Sequence, residues 1–112
     1  MLNKDNQYSL SDIIAYMKII DLRNDNFCLY GESDERLKAN GYYYIADYPD
    51  VDDNDKEIYP QIVQTKKLHY LYSGQQFADV IDSVVEQKPS ASLDEFVKAL
   101  NFYSENDNFL DF

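Results

Sequence analysis

The feature that most constrains the fold is a capped, amphipathic stretch in the second half of the chain. Its apolar residues recur at three- and four-residue spacing, as on one face of a helix: Phe77, Val80, Ile81, Val84 and Val85. Ser73 followed by Gln76 forms a capping-box pattern before this stripe, and Pro89 ends it. The pattern predicts a helix that must bury its apolar face against another element.

Two further segments show the same period. Ser92 and Glu95 form a second capping-box pattern, and the residues after them predict a final helix that buries Leu93, Phe96, Val97 and Leu100. Near the N-terminus, Ser9 or Ser11 can cap a helix with an apolar stripe of Leu10, Ile13, Ile14, Met17 and Ile20. Residues 104–112 carry too few helical signals to extend the last helix. We therefore expect one N-terminal helix and two C-terminal helices.

Three segments rich in aromatic and β-branched residues predict strands: "FCLYG" at 27–31, "YYYIADY" at 42–48 and "LHYLY" at 68–72. Between the first two, residues 32–41 predict one helical turn closed by Gly41. Residues 60–67 fit either a strand or a short helix, and Pro60 at a first helical position favours the helix.

This order of elements predicts an α+β protein in which a small, about three-stranded sheet packs against an N-terminal helix and two C-terminal helices. A chain of 112 residues is the size of one domain, so residues 1–112 are expected to form a single unit. No apolar run approaches the about 18 residues of a membrane span, and the N-terminus lacks the pattern of a signal peptide. We expect no membrane association and a cytoplasmic location.

Composition argues against several functions. A net charge of −11 repels phosphate, so nucleic acid is not an expected partner. One cysteine, Cys28, and one histidine, His69, leave no set of ligands for a structural zinc, and no cofactor motif is present. Cys28 and His69 lie in predicted strands, where a buried small hydrophobe and a satisfied histidine are expected rather than a nucleophile and its base. We expect no catalytic residue and no enzyme activity.

The acidic stretch at 47–59, "DYPDVDDNDKEIY", resembles part of a calcium loop. Asp50, Asp52 and Asn54 occupy the first, third and fifth positions of an EF-hand register. The register fails at position six, where the sharp turn requires glycine, because Asp55 stands there. It fails again at position twelve, where Gln61 replaces the bidentate glutamate. No metal site is predicted.

Two interpretations of this stretch remain, a solvated linker and a surface for a basic partner. Residues 1–57 hold 13 acids and 6 bases, so the negative charge is concentrated in the first half of the chain and in the tail. Crowded carboxylates repel one another and destabilise a compact state, a cost that a basic partner would offset. The residues predicted to bind such a partner are Asp47, Tyr48, Asp50, Asp52, Asp53, Asp55, Glu57 and Tyr59.

The tyrosines give a second indication of a protein interface. The chain has 11 of them, and seven lie in or near the predicted strands: Tyr42, Tyr43, Tyr44, Tyr48, Tyr59, Tyr70 and Tyr72. A three-stranded sheet with one covered face cannot bury them all, so several are expected to be exposed. Exposed tyrosine beside carboxylates is typical of surfaces that bind proteins.

Residues 80–109, "VIDSVVEQKPSASLDEFVKALNFYSENDNF", resemble small acidic bacterial immunity-type proteins of toxin–immunity systems. The shared features are a helix that ends at Gln87, Lys88 and Pro89, the small residues Ala91 and Ser92, a helix through Ala99 and Asn101, and then Tyr103, Asn106, Asp107 and Phe109. The resemblance covers about the last third of the chain. It implies a binding role and no catalytic residues.

Three functions follow from these observations. The first is an immunity protein or inhibitor that neutralises a basic, nuclease-type toxin by covering its active site, with carboxylates in the place of substrate phosphates. The second is a phage-type inhibitor that mimics DNA, which relies on the same physics. The third is an enzyme or small-ligand domain with an acidic site assisted by a divalent metal.

Overall fold

The computed structural model describes residues 2–112 and confirms the α+β class. The helices are α1 Leu10–Met17, α2 Gln61–Lys66, α3 Gly74–Gln87 and α4 Leu93–Asn106. The strands are β1 Asn6–Ser9, β2 Cys28–Gly31, β3 Tyr42–Ala46, β4 Asp50–Val51, β5 Glu57–Ile58 and β6 His69–Ser73. In these residues no helix has the length and apolar character needed to cross a membrane.

The main sheet has four strands rather than about three, in the order β1-β3-β2-β6, and all its pairs are antiparallel. The additional strand is β1, which pairs along β3 from Asn6 opposite Ile45 to Ser9 opposite Tyr42. The other three strands are the predicted ones. Strands β1 and β6 form the two edges of this sheet.

The helix caps follow the sequence patterns. The Ser9, Ser73 and Ser92 hydroxyls accept hydrogen bonds from the backbone N–H groups of Asp12, Gln76 and Glu95. At α4 the capping box is complete, because the Glu95 carboxylate also accepts from the Ser92 N–H at 3.0 Å. These bonds satisfy backbone donors that the first turn of a helix leaves unpaired.

The main core lies between one face of the sheet and helices α1, α3 and α4. Its largest fully buried members include Leu10, Ile13, Leu29, Ile45, Phe77, Ile81, Phe96 and Leu100. The predicted stripes of α3 and α4 supply much of this core. Ile20 was wrongly included in the α1 stripe, because α1 ends at Met17 and the Ile20 side chain is 62% exposed.

The opposite face of the sheet is also covered in part, which the sequence analysis did not anticipate. A second cluster of Cys28, Tyr30, Ala46, Val63 and Leu68 lies there, with Val63 supplied by α2. Residues 61–66 therefore form the expected short helix. Pro60 is its N-cap residue, one position before the first helical position that the sequence predicted for it. The prediction that several of the seven strand tyrosines are exposed is confirmed, since Tyr42, Tyr48 and Tyr70 are exposed. Tyr43 and Tyr72 are the buried ones of that set.

Two local predictions were wrong. Residues 32–41 form no helical turn, although the Gly41 N–H donates to the Lys38 carbonyl at 2.9 Å and so closes a single tight turn. The buried side chain of Asn101 instead holds this irregular segment by binding the backbone of Leu37 on both sides. Its Oδ1 accepts from the Leu37 N–H at 2.9 Å, and its Nδ2 donates to the Leu37 carbonyl at 3.0 Å. Helix α4 continues to Asn106, past the point where the sequence signals weaken, and Tyr103 in its last turn packs near Tyr72.

Candidate functional site

The acidic stretch folds into a two-stranded antiparallel hairpin, formed by β4 and β5 and separate from the main sheet. We call residues 50–58 the acidic hairpin. Asp50 lies opposite Ile58, and Val51 lies opposite Glu57. The segment is thus a short hairpin with charged and apolar side chains on a narrow ribbon.

One carboxylate of the acidic hairpin holds its turn together. Asp52 Oδ1 accepts from the backbone N–H groups of Asn54 at 2.8 Å and Lys56 at 2.9 Å. The Asp52 N–H also donates to the Lys56 carbonyl, and Asp55 takes a left-handed conformation with φ of 60°. Aspartate and asparagine tolerate that conformation better than most residues. Asp52 therefore has a structural role besides its charge.

The remaining charge of the acidic hairpin is not neutralised within the part of the chain that the structure describes. The five salt bridges found there are Lys4–Asp47, Arg23–Asp82, Arg36–Glu105, Lys38–Glu35 and Lys88–Glu95. None involves the five acids of the hairpin, whereas Asp47 is paired with Lys4. The sequence grouped Asp47 with the hairpin acids, but its charge is already compensated.

The two tyrosines that flank the acidic hairpin differ in role. Tyr59 turns toward the protein, where its ring stands edge-on to Tyr30 at 6.3 Å between centroids and its hydroxyl donates to Glu57 Oε2 at 2.7 Å. Tyr48 is 37% exposed, and partial burial raises the pKa of its hydroxyl. Tyr59 therefore anchors the base of the hairpin, while Tyr48 is the better placed of the two for contact with a partner.

Two apolar residues of the acidic hairpin were missed by the sequence analysis. Val51 is 61% exposed and Ile58 is 46% exposed, although both lie in strands. In the sequence each of them is an aliphatic residue next to several charged ones, and the analysis of that segment considered only its charge. Exposed aliphatic area beside carboxylates provides contact surface as well as charge.

The acidic hairpin does not have the geometry of a metal site. Among residues 2–112, no group of three or more His, Cys, Asp or Glu side chains is arranged to hold a metal ion. The side chain of Asp52, which fits the third position of an EF-hand in the sequence, instead accepts two hydrogen bonds from its own turn.

Cys28 and His69 do not form a catalytic pair. Cys28 is the first residue of β2, and His69 of β6 lies opposite Gly31, the last residue of β2. The two side chains are therefore separated by the length of β2, about 10 Å. Burial raises the pKa of the Cys28 thiol to about 11, which keeps it protonated at neutral pH. Cys28 is buried, as expected of a small hydrophobe in a strand, and His69 is exposed at the sheet edge.

Comparison with known proteins gives a family and no function. No curated protein and no solved structure matches the chain. The model of a family described as a domain of unknown function, DUF7716, matches residues 8–112. Because this match covers nearly the whole chain, from the last residues of β1 to the tail, the protein belongs to the DUF7716 family.

Proposed function

We propose that this protein is a small acidic binding protein that neutralises a basic protein partner, and that it acts as an immunity-type inhibitor of a nuclease-type toxin. In this proposal the acidic hairpin covers the active site of the toxin, and its carboxylates occupy the positions of substrate phosphates. The protein itself is not an enzyme, uses no cofactor and works in the cytoplasm, where a toxin of this kind would reach its target.

The observation that carries the proposal is the combination of unpaired charge and exposed aliphatic surface on one hairpin. Five carboxylates lie within nine residues, none in a salt bridge of the described chain, and Val51 and Ile58 are exposed beside them. Complementary charge increases the association rate, and apolar contacts at the centre of an interface slow dissociation.

A phage-type inhibitor that mimics DNA would use the same hairpin against a different basic protein. The two functions differ in the target and not in the chemistry of the surface, so the experiment below serves both. For the third function, an enzyme or small-ligand domain assisted by a divalent metal, residues 2–112 contain no group of three or more side chains arranged to hold the metal ion.

The test compares two variants that each remove four negative charges. The hairpin variant carries Asp50→Asn, Asp53→Asn, Asp55→Asn and Glu57→Gln, and it retains Asp52 because that residue holds the turn. The matched variant carries Asp21→Asn, Asp79→Asn, Glu86→Gln and Asp111→Asn, all at exposed positions outside the hairpin. Wild type and each variant are co-expressed with any basic protein found to be encoded beside the gene, and growth and nuclease activity are measured.

We expect the wild-type protein and the matched variant to protect cells and to inhibit the nuclease, and the hairpin variant to fold but to fail in both. The association rate of the wild-type complex should fall steeply as salt rises from about 0.05 to about 0.5 M, because mobile ions screen exposed charges. Equal protection by the two variants would remove the acidic hairpin from the proposal. A wild-type protein that protects against no neighbouring basic protein would refute the inhibitor function itself.

A further inference from the structure

A groove runs between strand β6 and helix α4, at the β6 edge of the main sheet. It consists of two adjoining cavities of about 220 Å³ and about 140 Å³, which share Leu71, Tyr72 and Ser104 as lining residues. The first cavity extends to residues 34–37, and the second extends to Gln76 and Asp107 in the opposite direction.

The walls of this groove are fixed in place by buried hydrogen bonds. The Tyr72 hydroxyl donates to the Leu100 carbonyl at 2.9 Å and so ties α4 to the edge of the sheet. The bonds between Asn101 and the Leu37 backbone hold the remaining wall against the same helix. A groove with fixed walls loses little conformational freedom when it is filled, which favours binding.

Strand β6 is an edge strand, so backbone groups on its outer side have no strand partner in the sheet. Its register shifts between the pairs Leu29–Tyr72 and Tyr30–Tyr70, which leaves Leu71 as the additional residue of a bulge. The outer edge therefore offers isolated hydrogen-bonding groups rather than a continuous ladder. An occupant would gain most of its binding from side chains in the cavities.

The lining residues select a basic occupant. Four carboxylates, those of Asp34, Glu35, Glu105 and Asp107, line the two cavities. Among the described lining residues the one base is Arg36, which is paired with Glu105 at 2.7 Å, and Lys38 nearby pairs with Glu35 at 3.4 Å. Asp34 and Asp107 form none of the salt bridges of the described residues, so they supply the charge that favours a basic occupant. Aromatic and aliphatic side chains such as Tyr72 and Leu71 suit the methylene stems of lysine and arginine. A second copy of the chain is a poor occupant, since each copy carries a charge of −11.

From these observations we infer that the groove between β6 and α4 is a second binding surface, which takes an extended, basic segment of a protein independently of the acidic hairpin. Alternate side chains of an extended segment point to the same side. Lysine or arginine at such positions would enter the two cavities, and the backbone between them would reach the edge of β6.

The experiment uses a fluorescein-labelled octapeptide of alternating lysine and threonine, with alternating glutamate and threonine as the control peptide. Binding is measured by fluorescence anisotropy in about 0.15 M salt, where long-range attraction is largely screened. Ser104→Arg places a bulky cation in the groove at an exposed helical position, and Ser90→Arg makes the same change in the loop between α3 and α4.

We expect the lysine peptide to bind and to shift the amide resonances of residues 70–72 and 101–107, while the glutamate peptide does not bind. Ser104→Arg should weaken the affinity at least about tenfold, and Ser90→Arg and the hairpin variant should leave it within about twofold. Equal binding by the two arginine variants, resonance shifts confined to the acidic hairpin, or no binding at all would each overturn the inference. None of these results depends on whether the hairpin inhibits a toxin.

Discussion

At the scale of single residues, the side chains of Asn101 and Arg23 each hold an irregular segment in place through hydrogen bonds to residues distant in the sequence. Asn101 binds both backbone groups of Leu37, which lies 64 residues away. Arg23 places its guanidinium on the Asp82 carboxylate through two bonds of 2.6 and 2.7 Å, and it also donates to the Met17 carbonyl at 3.0 Å. Neither partnership can be inferred from local sequence, since each depends on the finished fold.

The first prediction concerns Asn101, which is 8% exposed. Replacing it by alanine leaves the N–H and carbonyl of Leu37 buried without partners, and each such group costs about 1–3 kcal/mol. We expect Asn101→Ala to lower the free energy of unfolding by about 2–4 kcal/mol in urea titrations. Asn106→Ala, which removes an exposed bond to the Phe102 carbonyl, is the control and should cost less than about 0.5 kcal/mol. Equal losses in the two variants would contradict this role of Asn101.

The second prediction concerns the pair between Arg23 and Asp82. The hydrogen bonds from Arg23 lower the pKa of Asp82 below its ordinary value of 3.8. A lowered pKa in the folded state stabilises the protein at pH values above that of the unfolded group, and the effect is lost as pH falls through the folded pKa. Asp82→Asn should therefore cost about 1 kcal/mol at pH 7, since the carboxylate is partly exposed and screened.

The dependence on pH identifies the origin of that loss. The difference in unfolding free energy between wild type and Asp82→Asn should shrink steadily below about pH 4, as both proteins come to lack the carboxylate charge. Glu86→Gln changes an exposed acid of the same helix that is in none of the salt bridges of the described residues, and it should show no loss at pH 7. A loss for Asp82→Asn that is constant from pH 7 to pH 2 would indicate altered packing instead.

At the scale of elements, the helices were predictable because their signals are local. The apolar stripe of α3 shows the helical period within a few residues. The cap pair Ser92 and Glu95 marks the residue at which α4 begins. Strand β1 has no such signal, since Asn6 and Gln7 are exposed and polar, and the strand exists through its pairing with β3. Pairing between distant segments is a tertiary effect that a local pattern does not contain.

The same distinction between local and tertiary effects explains why the candidate site could be predicted only in part. Its charge is a property of composition, so the five hairpin acids could be named from sequence. The inward turn of Tyr59 depends on Tyr30, which lies in another strand, and the pairing of Asp47 depends on Lys4 at the N-terminus. The hairpin itself depends on Asp52, whose role as a turn residue was hidden among neighbouring acids.

The third prediction separates the geometry of the acidic hairpin from its charge. Asp52→Asn keeps an oxygen that can accept from the N–H groups of Asn54 and Lys56, whereas Asp52→Ala removes it. Both changes remove one negative charge. We expect hydrogen exchange at residues 51–58 to accelerate strongly in Asp52→Ala and little in Asp52→Asn, with the melting temperature nearly unchanged in both, because the hairpin lies outside the main core. Equal acceleration in the two variants would show that charge, and not the turn bonds, orders the hairpin.

At the scale of the whole molecule, the excess of negative charge has no internal compensation. Of the 21 acids, all within the described residues, five form salt bridges and sixteen do not. The core is extensive on one sheet face and smaller on the other. Burial of this apolar area stabilises the fold against the repulsion between the unpaired carboxylates on the surface. The proposed binding surfaces are the places where a partner would relieve that repulsion.

The last prediction follows from this repulsion. Partial protonation of unpaired carboxylates, or added salt, should stabilise the free protein, so the melting temperature should rise from pH 8 to a maximum at about pH 5 to 6. At lower pH the protein should lose stability again, because the paired carboxylates of Asp82 and Glu95 become protonated. Arg23 and Lys88 lower the pKa values of these two groups below their ordinary values of 3.8 and 4.5, so this loss begins only below the maximum. The hairpin variant and the matched variant, each with four fewer charges, should both melt at higher temperature than wild type at pH 7 and low salt, and about 0.5 M salt should remove most of the difference. A melting temperature that falls continuously from pH 8 to pH 5 would mean that paired carboxylates outweigh the repelled ones.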